Sequence, residues 1–407
     1  MQLLSFSVPL NPSQFYGSSI APVLQQLPAS TLTQLQCSID WSSSADLAAL
    51  GRLTALRRLH VTNDRTMPYD ALVPLCSLQQ LTHLQLQSVQ PAHLQELPPW
   101  LQQLHVAHIN PTVAHGDSAQ QQQRRFQLQL GHLTGLTSLR VGARPSYLRY
   151  DSARHLVSDC DVMTAASQLP PNLQELSWPD CSNIEPLLCL QQLQRLQLHR
   201  IEQKQLDAFQ LLQLCNVSSL TELQLGYGKA ECITASAAAA WQQLPSLRVL
   251  SLYCTNGDGS RSVLAEVIQQ LGSLQRLARL EIVNQHKYKL PSLVQVAPAQ
   301  LGAALLPLTA LQQLRIEGIH LILPPLKKNQ SFTWCQPPEG VMQLLDAVGV
   351  LVPGLQKLRM DLRMNILKED AEHIVSQQQR LQRQLGVFSV EIDALVLAKG
   401  CREGWDE

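Results

Sequence analysis

The sequence predicts an α/β solenoid of about twelve repeats, with a curved parallel β-sheet on its concave side and helices and irregular segments on its convex side. Two observations predict it. One phrase (Leu, two residues, Leu, one residue, an apolar residue) recurs about twelve times, as in Leu56, Leu59, Val61 and Leu193, Leu196, Leu198. The copies lie roughly 20 to 44 residues apart, and the segments between them often carry apolar residues at helical spacing, as at 263–268 and 206–214. Within each phrase the last two apolar residues flank a polar one, the period of a strand with one face buried and one wet. A single copy cannot bury its apolar face alone, so the copies must stack.

Taken in order, residues 1–30 hold no copy and are expected to cap the first strand. The repeats fill 31–364. Their copies stand at Leu32/Leu35/Cys37, Leu56/Leu59/Val61, Leu81/Leu84/Leu86, Leu101/Leu104/Val106, Leu136/Leu139/Val141 and Leu173/Leu176/Trp178. They continue at Leu193/Leu196/Leu198, Leu220/Leu223/Leu225, Leu247/Leu250/Leu252, Leu277/Leu280/Ile282, Leu311/Leu314/Ile316 and Leu355/Leu358/Met360. The glutamine tract 120–123, between two copies, reads as a solvated loop or helix turn. Over 365–407, a charged helix around 368–385 and a strand-like 387–396 are expected to form a C-terminal helix–strand cap.

The phrase resembles the leucine-rich repeat family, whose unit runs L-x-x-L-x-L-x-x-N/C-x-L. At the ninth position no asparagine stands in the first six copies, which have Asp40, Asp64, Val89, Ile109, Arg144 and Cys181, only the last of them within the family pattern. The family's asparagine ladder is therefore missing, and uneven turns after the strands are expected. With its Gln, Ala and Leu content and irregular repeat lengths, the chain is similar to the irregular intracellular type found in algal leucine-rich repeat proteins. The resemblance implies a protein-binding scaffold. By resemblance alone it also implies a cytoskeletal location at the ciliary axoneme as the alternative to a cytoplasmic one.

Composition bounds the function. Apolar residues make up 45% and aromatics only 5%, which suits an interior of stacked aliphatic layers. Lys plus Arg equals Asp plus Glu at 31 each, so no overall field draws the chain to nucleic acid or anionic lipid. The ten cysteines include no C-x-x-C, as expected of reduced thiols in the cytoplasm. No stretch reads as a signal peptide or a membrane span.

No catalytic motif is present: there is no phosphate loop, nucleophile elbow, H-E-x-x-H pair or kinase set. The glycine-rich 256–260 lacks the lysine of a phosphate cradle and reads as a turn. His60, His83 and His105 fall on neighbouring copies, yet His60 and His105 would stand roughly 10 Å apart with no nearby acid, so they read as exposed histidines and not as zinc ligands. No enzyme activity, cofactor, metal, nucleic-acid partner, membrane or small-molecule substrate is expected.

Two candidate interfaces remain. The first is the run of outward strand positions late in the chain, Tyr253, Arg279, Glu281, Arg315, Glu317, Lys357, Arg359 and Asp361, because Arg and aromatic residues anchor interfaces and mixed charges fix register. The competing reading is an ordinary solvated sheet face. The second is the proline-flanked stretch 323–338 with Phe332 and Trp334, which either reaches a partner or folds back on the repeats. The expected function is a non-enzymatic scaffold holding an unidentified protein partner on its concave face. The alternatives are a substrate-recognition adaptor of a ubiquitin ligase and, in a different class, a small-ligand receptor or enzyme.

Overall fold

The structure is a computed structural model that describes residues 5–7, 19–39, 43–62, 73–89, 94–109, 130–142, 169–181, 184–201, 213–227, 240–254, 270–284, 294–321, 339–351, 354–366, 379, 383 and 390–396. The chain divides into two compact units, Met1–His199 and Arg200–Glu407. Each is a leucine-rich repeat stack in which every leucine phrase forms one parallel strand.

The first unit holds β1 (Ser5–Ser7), α1 (Ala21–Gln26), β2 (Gln34–Cys37), α2 (Ser44–Gly51), β3 (Arg58–Val61), α3 (Val73–Ser77), β4 (His83–Val89), β5 (Gln103–Ile109), β6 (Ser138–Val141), β7 (Glu175–Cys181) and β8 (Arg195–Ile201), which runs to the boundary. Strands β1 to β7 pair in sequence order, all parallel. The register aligns like with like: Leu35, Leu59, Leu84, Leu104, Leu139 and Leu176 form one column. All six are buried.

The second unit holds β9 (Glu222–Tyr227), β10 (Val249–Cys254), β11 (Arg279–Asn284), β12 (Val294–Val296), α4 (Pro298–Leu305), β13 (Gln313–Leu321), α5 (Glu339–Leu351), β14 (Lys357–Ile366) and β15 (Val390–Val396). Here Leu223, Leu250, Leu280, Leu314 and Leu358 make the matching column, and all are buried. Helices α4 and α5 pack closely because Gly302 has no side chain; a Cβ there would stand 3.3 Å from the Gln343 carbonyl and the Leu344 Cα.

The buried leucines extend further upstream than the six-residue phrase. Leu50, Leu53, Leu56 and Leu59 are spaced by three and all buried, and the Leu53 and Leu56 N–H groups each donate to the carbonyl three residues back at 3.0 Å. The same staircase precedes β4 at Leu75, Leu78 and Leu81, and β6 at Leu130, Leu133 and Leu136. It recurs before β9 at Leu214, Val217 and Leu220, and before β11 at Leu271, Leu274 and Leu277. Turns that close every three residues return each third side chain to the same side, so a leucine at that period lines the core all the way into the strand. Each such side chain contributes roughly 1.5 to 3 kcal/mol on burial.

A second ladder runs through the residue just before each strand. The Thr33 carbonyl accepts from the N–H groups of Arg57 and Arg58 at 2.8 and 2.9 Å, and Arg57 accepts in the same way from Thr82 and His83. The series continues through Thr82, Gln102, Thr137 and Gln174 in the first unit, and through Thr221, Arg248, Ala278 and Gln312 in the second. This backbone ladder joins successive repeats without any particular side chain. It shows how a chain lacking the asparagine ladder still stacks in register.

Three strands lie outside the leucine phrases. β1 extends the first unit's sheet beyond β2, β12 pairs with the far end of β13, and β15 pairs with β14 from Met360 onward. β13 carries a bulge between Glu317 and Ile319 that shifts its register on β14. At the start of the first unit, the buried Asp46 of α2 accepts from the Ala21 N–H at 2.8 Å and from the Ser19 hydroxyl at 2.5 Å, closing the N-terminus of α1. The expected helices at 206–214 and 263–268 lie wholly or mainly outside the described residues. So do the 120–123 tract, the 256–260 turn and, apart from positions 379 and 383, the 368–385 helix.

Candidate interaction surface

In the second unit the outward columns are set by the same register as the core. Gln224, Ser251, Glu281, Arg315 and Arg359 stand in line, flanked by Arg279 and Lys357 on one side and by Tyr253 and Glu317 on the other. The late-chain candidates therefore come together on four neighbouring strands.

They are not a row of free side chains. Glu281 was expected to be exposed, and it is 5% exposed. The Tyr253 hydroxyl donates to its Oε2 at 2.6 Å, and Arg279 donates to its Oε1 from Nε at 3.0 Å and from Nη2 at 2.6 Å. Ser251, also buried, donates weakly at 3.4 Å. These donors lie over the carboxylate and shield it from water. That is why a residue on the wet column is buried: its charge is compensated at close range. Beside it, Glu317 pairs with Arg315 at 2.8 Å and with Arg359 at 2.5 Å. Lys357 is exposed at the edge of this network.

The ionisation follows from these contacts. Burial pushes the Glu281 carboxyl up, but the Tyr253 and Arg279 hydrogen bonds and the Arg279 and Arg315 charges outweigh it and hold the group below its usual range. Burial and the hydrogen bond to Glu281 push the Tyr253 phenol up to about 12. The hydrogen bond to Glu317 raises Arg315 further. Phe332 and Trp334 lie outside the described residues, as does the side chain of Asp361.

The first unit presents a different face. Gln36, His60, Gln85, His105, Arg140 and Ser177 form one outward column, and Gln34, Arg58, His83, Gln103, Ser138 and Glu175 form the next. The flanking column adds Arg58 and Glu175, which the same alignment of copies could have supplied. Glu175 accepts from Ser138 at 2.8 Å and from Arg140 at 2.6 Å, and burial is outweighed by these bonds and by the Arg140 and Arg195 charges, leaving its carboxyl below the usual range. Farther along, Ser177 and His199 share a hydrogen bond at 2.9 Å, and burial lowers His199. His60 and His105 share a column with Gln85 between them, as expected. Among the described residues, no group of three or more His, Cys, Asp or Glu is placed to hold a metal ion, and no helix is long and apolar enough to cross a membrane.

No family model matches the chain, and no curated protein matches it. Among solved structures, 58 chains match. One is the crystal structure of an internalin from Listeria monocytogenes, 16% identical, covering 86% of this chain and 83% of that chain with a TM-score of 0.37. The assignment of a leucine-rich repeat architecture stands on this chain's own strand register and leucine columns.

Proposed function

We propose that the chain is a non-enzymatic scaffold that holds a protein partner on the outward face of its strands, in the cytoplasm, with Tyr253, Arg279, Arg315 and Arg359 as the anchoring group in the second unit. The observation that carries this reading is the preorganisation of that group. Two carboxylates on adjacent strands hold one phenol and three arginines, whose side chains remain partly exposed: 43% for Arg279, 37% for Arg315 and 57% for Arg359. Side chains already held in place lose less entropy when a partner covers them.

Arg359→Ala tests this with little structural cost, because Glu317 keeps Arg315. Immobilised wild-type chain, Arg359→Ala and the turn variant Gln275→Ala would be used to capture proteins from a lysate of the source cell. The expected result is a protein retained by wild type and Gln275→Ala but weakened about thirtyfold by Arg359→Ala at unchanged melting temperature. Identical captured sets for all three chains would refute this interface.

A further inference from the structure

On the outward face of the first unit lies a hollow of about 510 Å³, crossed by β1 to β6. Among the described residues that line it, none is acidic, while Arg58, Arg140, His60, His83 and His105 all do. Arg140 is engaged by Glu175 at its rim, whereas Arg58 is exposed and has no ion-pair partner among the described residues. The remaining outward lining is Ser and Gln, which donate and accept hydrogen bonds without adding charge. We propose that this hollow binds an acidic peptide segment of a partner protein, with Arg58 on β3 and Arg140 on β6 contacting its carboxylates and His83 and His105 on the two strands between them. The proposal rests on the scaffold reading only in that the occupant is a protein; it concerns the other unit and a different set of residues.

Geometry favours an extended peptide over a single small anion. Strands β3 and β6, which carry Arg58 and Arg140, are three spacings apart, roughly 14 Å at about 4.8 Å each. Arg140 is also drawn to Glu175 on β7, away from β3, so the two guanidinium groups do not converge on one carboxylate or phosphate, whereas acidic side chains four residues apart on an extended peptide reach both, at about 3.4 Å per residue. A single-stranded nucleic acid is the other polyanion to consider. It binds such grooves by stacking bases chiefly on Phe, Tyr and Trp rings, and the outward lining here carries none of these, since Phe6 is in register with the inward Leu35; the smaller imidazoles stand on separate strands.

Binding should be pH-dependent. Burial holds His60, His83 and His105 below the usual imidazole range, with Arg58 acting further on His83, and Arg140 and His60 on His105. The charged groups facing them are Arg58 on β3, Arg140 on β6 and Glu175 on β7, while β1 and β2 contribute only Ser and Gln. At pH 7.5 the imidazoles are neutral. As pH falls they gain charge while a glutamate peptide, with carboxyls near about 4.3, stays ionised, so affinity should rise.

The test is fluorescence anisotropy of the full chain with two labelled peptides, one bearing glutamates four residues apart and one with glutamines in their place, at low salt. The glutamate peptide should bind at least about tenfold more tightly and tighten further as pH falls through the lowered imidazole range. Arg58→Gln should weaken it about tenfold at unchanged melting temperature, while the turn variant Gln275→Ala leaves it unchanged. Equal binding of the two peptides, no loss in Arg58→Gln, or tighter binding of a single-stranded oligonucleotide of equal charge would each overturn the proposal. The scaffold reading would survive any of these if Arg359→Ala still loses its captured protein.

Discussion

Tyr253→Phe isolates the network on the second unit's face. The substitution removes one hydroxyl and leaves the ring, so packing is kept while Glu281 loses its 2.6 Å donor. A hydrogen bond to a charged group contributes roughly 1.5 to 3 kcal/mol net, and Glu281 is too buried for water to replace the lost donor freely. Arg279 still supplies two bonds, which places the expected loss near the lower end, about 1.5 kcal/mol. In a repeat stack such a loss is felt locally. Hydrogen exchange followed by mass spectrometry should therefore show the β10 and β11 amides exchanging about tenfold faster, with those of β3 and β4 unchanged.

The pH dependence gives the same experiment a second reading. Glu281 is held below the ordinary carboxyl range, so its contribution is present above that range and is lost as pH falls through the folded value. Tyr253 is pushed up to about 12, so its contribution is intact below the ordinary phenol value and is lost as pH rises towards about 12. The difference between wild type and Tyr253→Phe should thus be largest at neutral pH and shrink at both extremes. Equal exchange in the two proteins at neutral pH would mean that the phenol does not hold Glu281, and the preorganised anchor would fail with it.

Two further outcomes follow from the core. Leu196→Asp places an unpaired charge at a position 1% exposed and should unfold β8 and its neighbours in circular dichroism melts, whereas Gln197→Ala, on the outward side, should do little; equal effects would mean the strand register is wrong. Burial and the nearby Asp46 charge push the Cys37 thiol up to about 12, so alkylation at mildly alkaline pH should label the exposed Cys189 well before Cys37, as read by peptide mass mapping.

The strands were legible in the sequence because their signal is one of period. Each leucine phrase is a β-strand, and aligning the phrases is enough to put Glu281, Arg315 and Arg359 in one outward column. The staircases were present too, in Leu50, Leu53 and Leu56, but a period of three matches neither a helix nor a strand, so a search for those two periods passes over it. The ladder before each strand could not be read at all. Its donors and acceptors are backbone groups, and the side chains at those positions, Thr33, Arg57, Gln102 and Ala278 among them, are mostly polar but of no one type, so they do not mark the ladder apart from any other exposed position. β1 and β12 have no leucine phrase to announce them, and short strands added at a sheet edge take their pairing from a neighbour already in place.

The charged positions show where column alignment stops being sufficient. Alignment puts Tyr253, Glu281 and Arg315 within reach of one another, yet whether Glu281 faces water or lies under its neighbours depends on how two long side chains close over it, which no one-dimensional pattern encodes. The outcome separates the two faces by physics. In the second unit, each guanidinium group is already paired with a carboxylate, so a partner must offer equal or better acceptors, and the face gains selectivity at the expense of long-range pull. In the first unit, Arg58 has no ion-pair partner among the described residues and stands beside histidines, a field that attracts acidic chains at low salt and weakens as salt screens it. A partner that used only the second face would bind with little dependence on ionic strength. One that used the first would lose affinity steeply with added salt, so a salt titration of any captured complex reports which face it occupies.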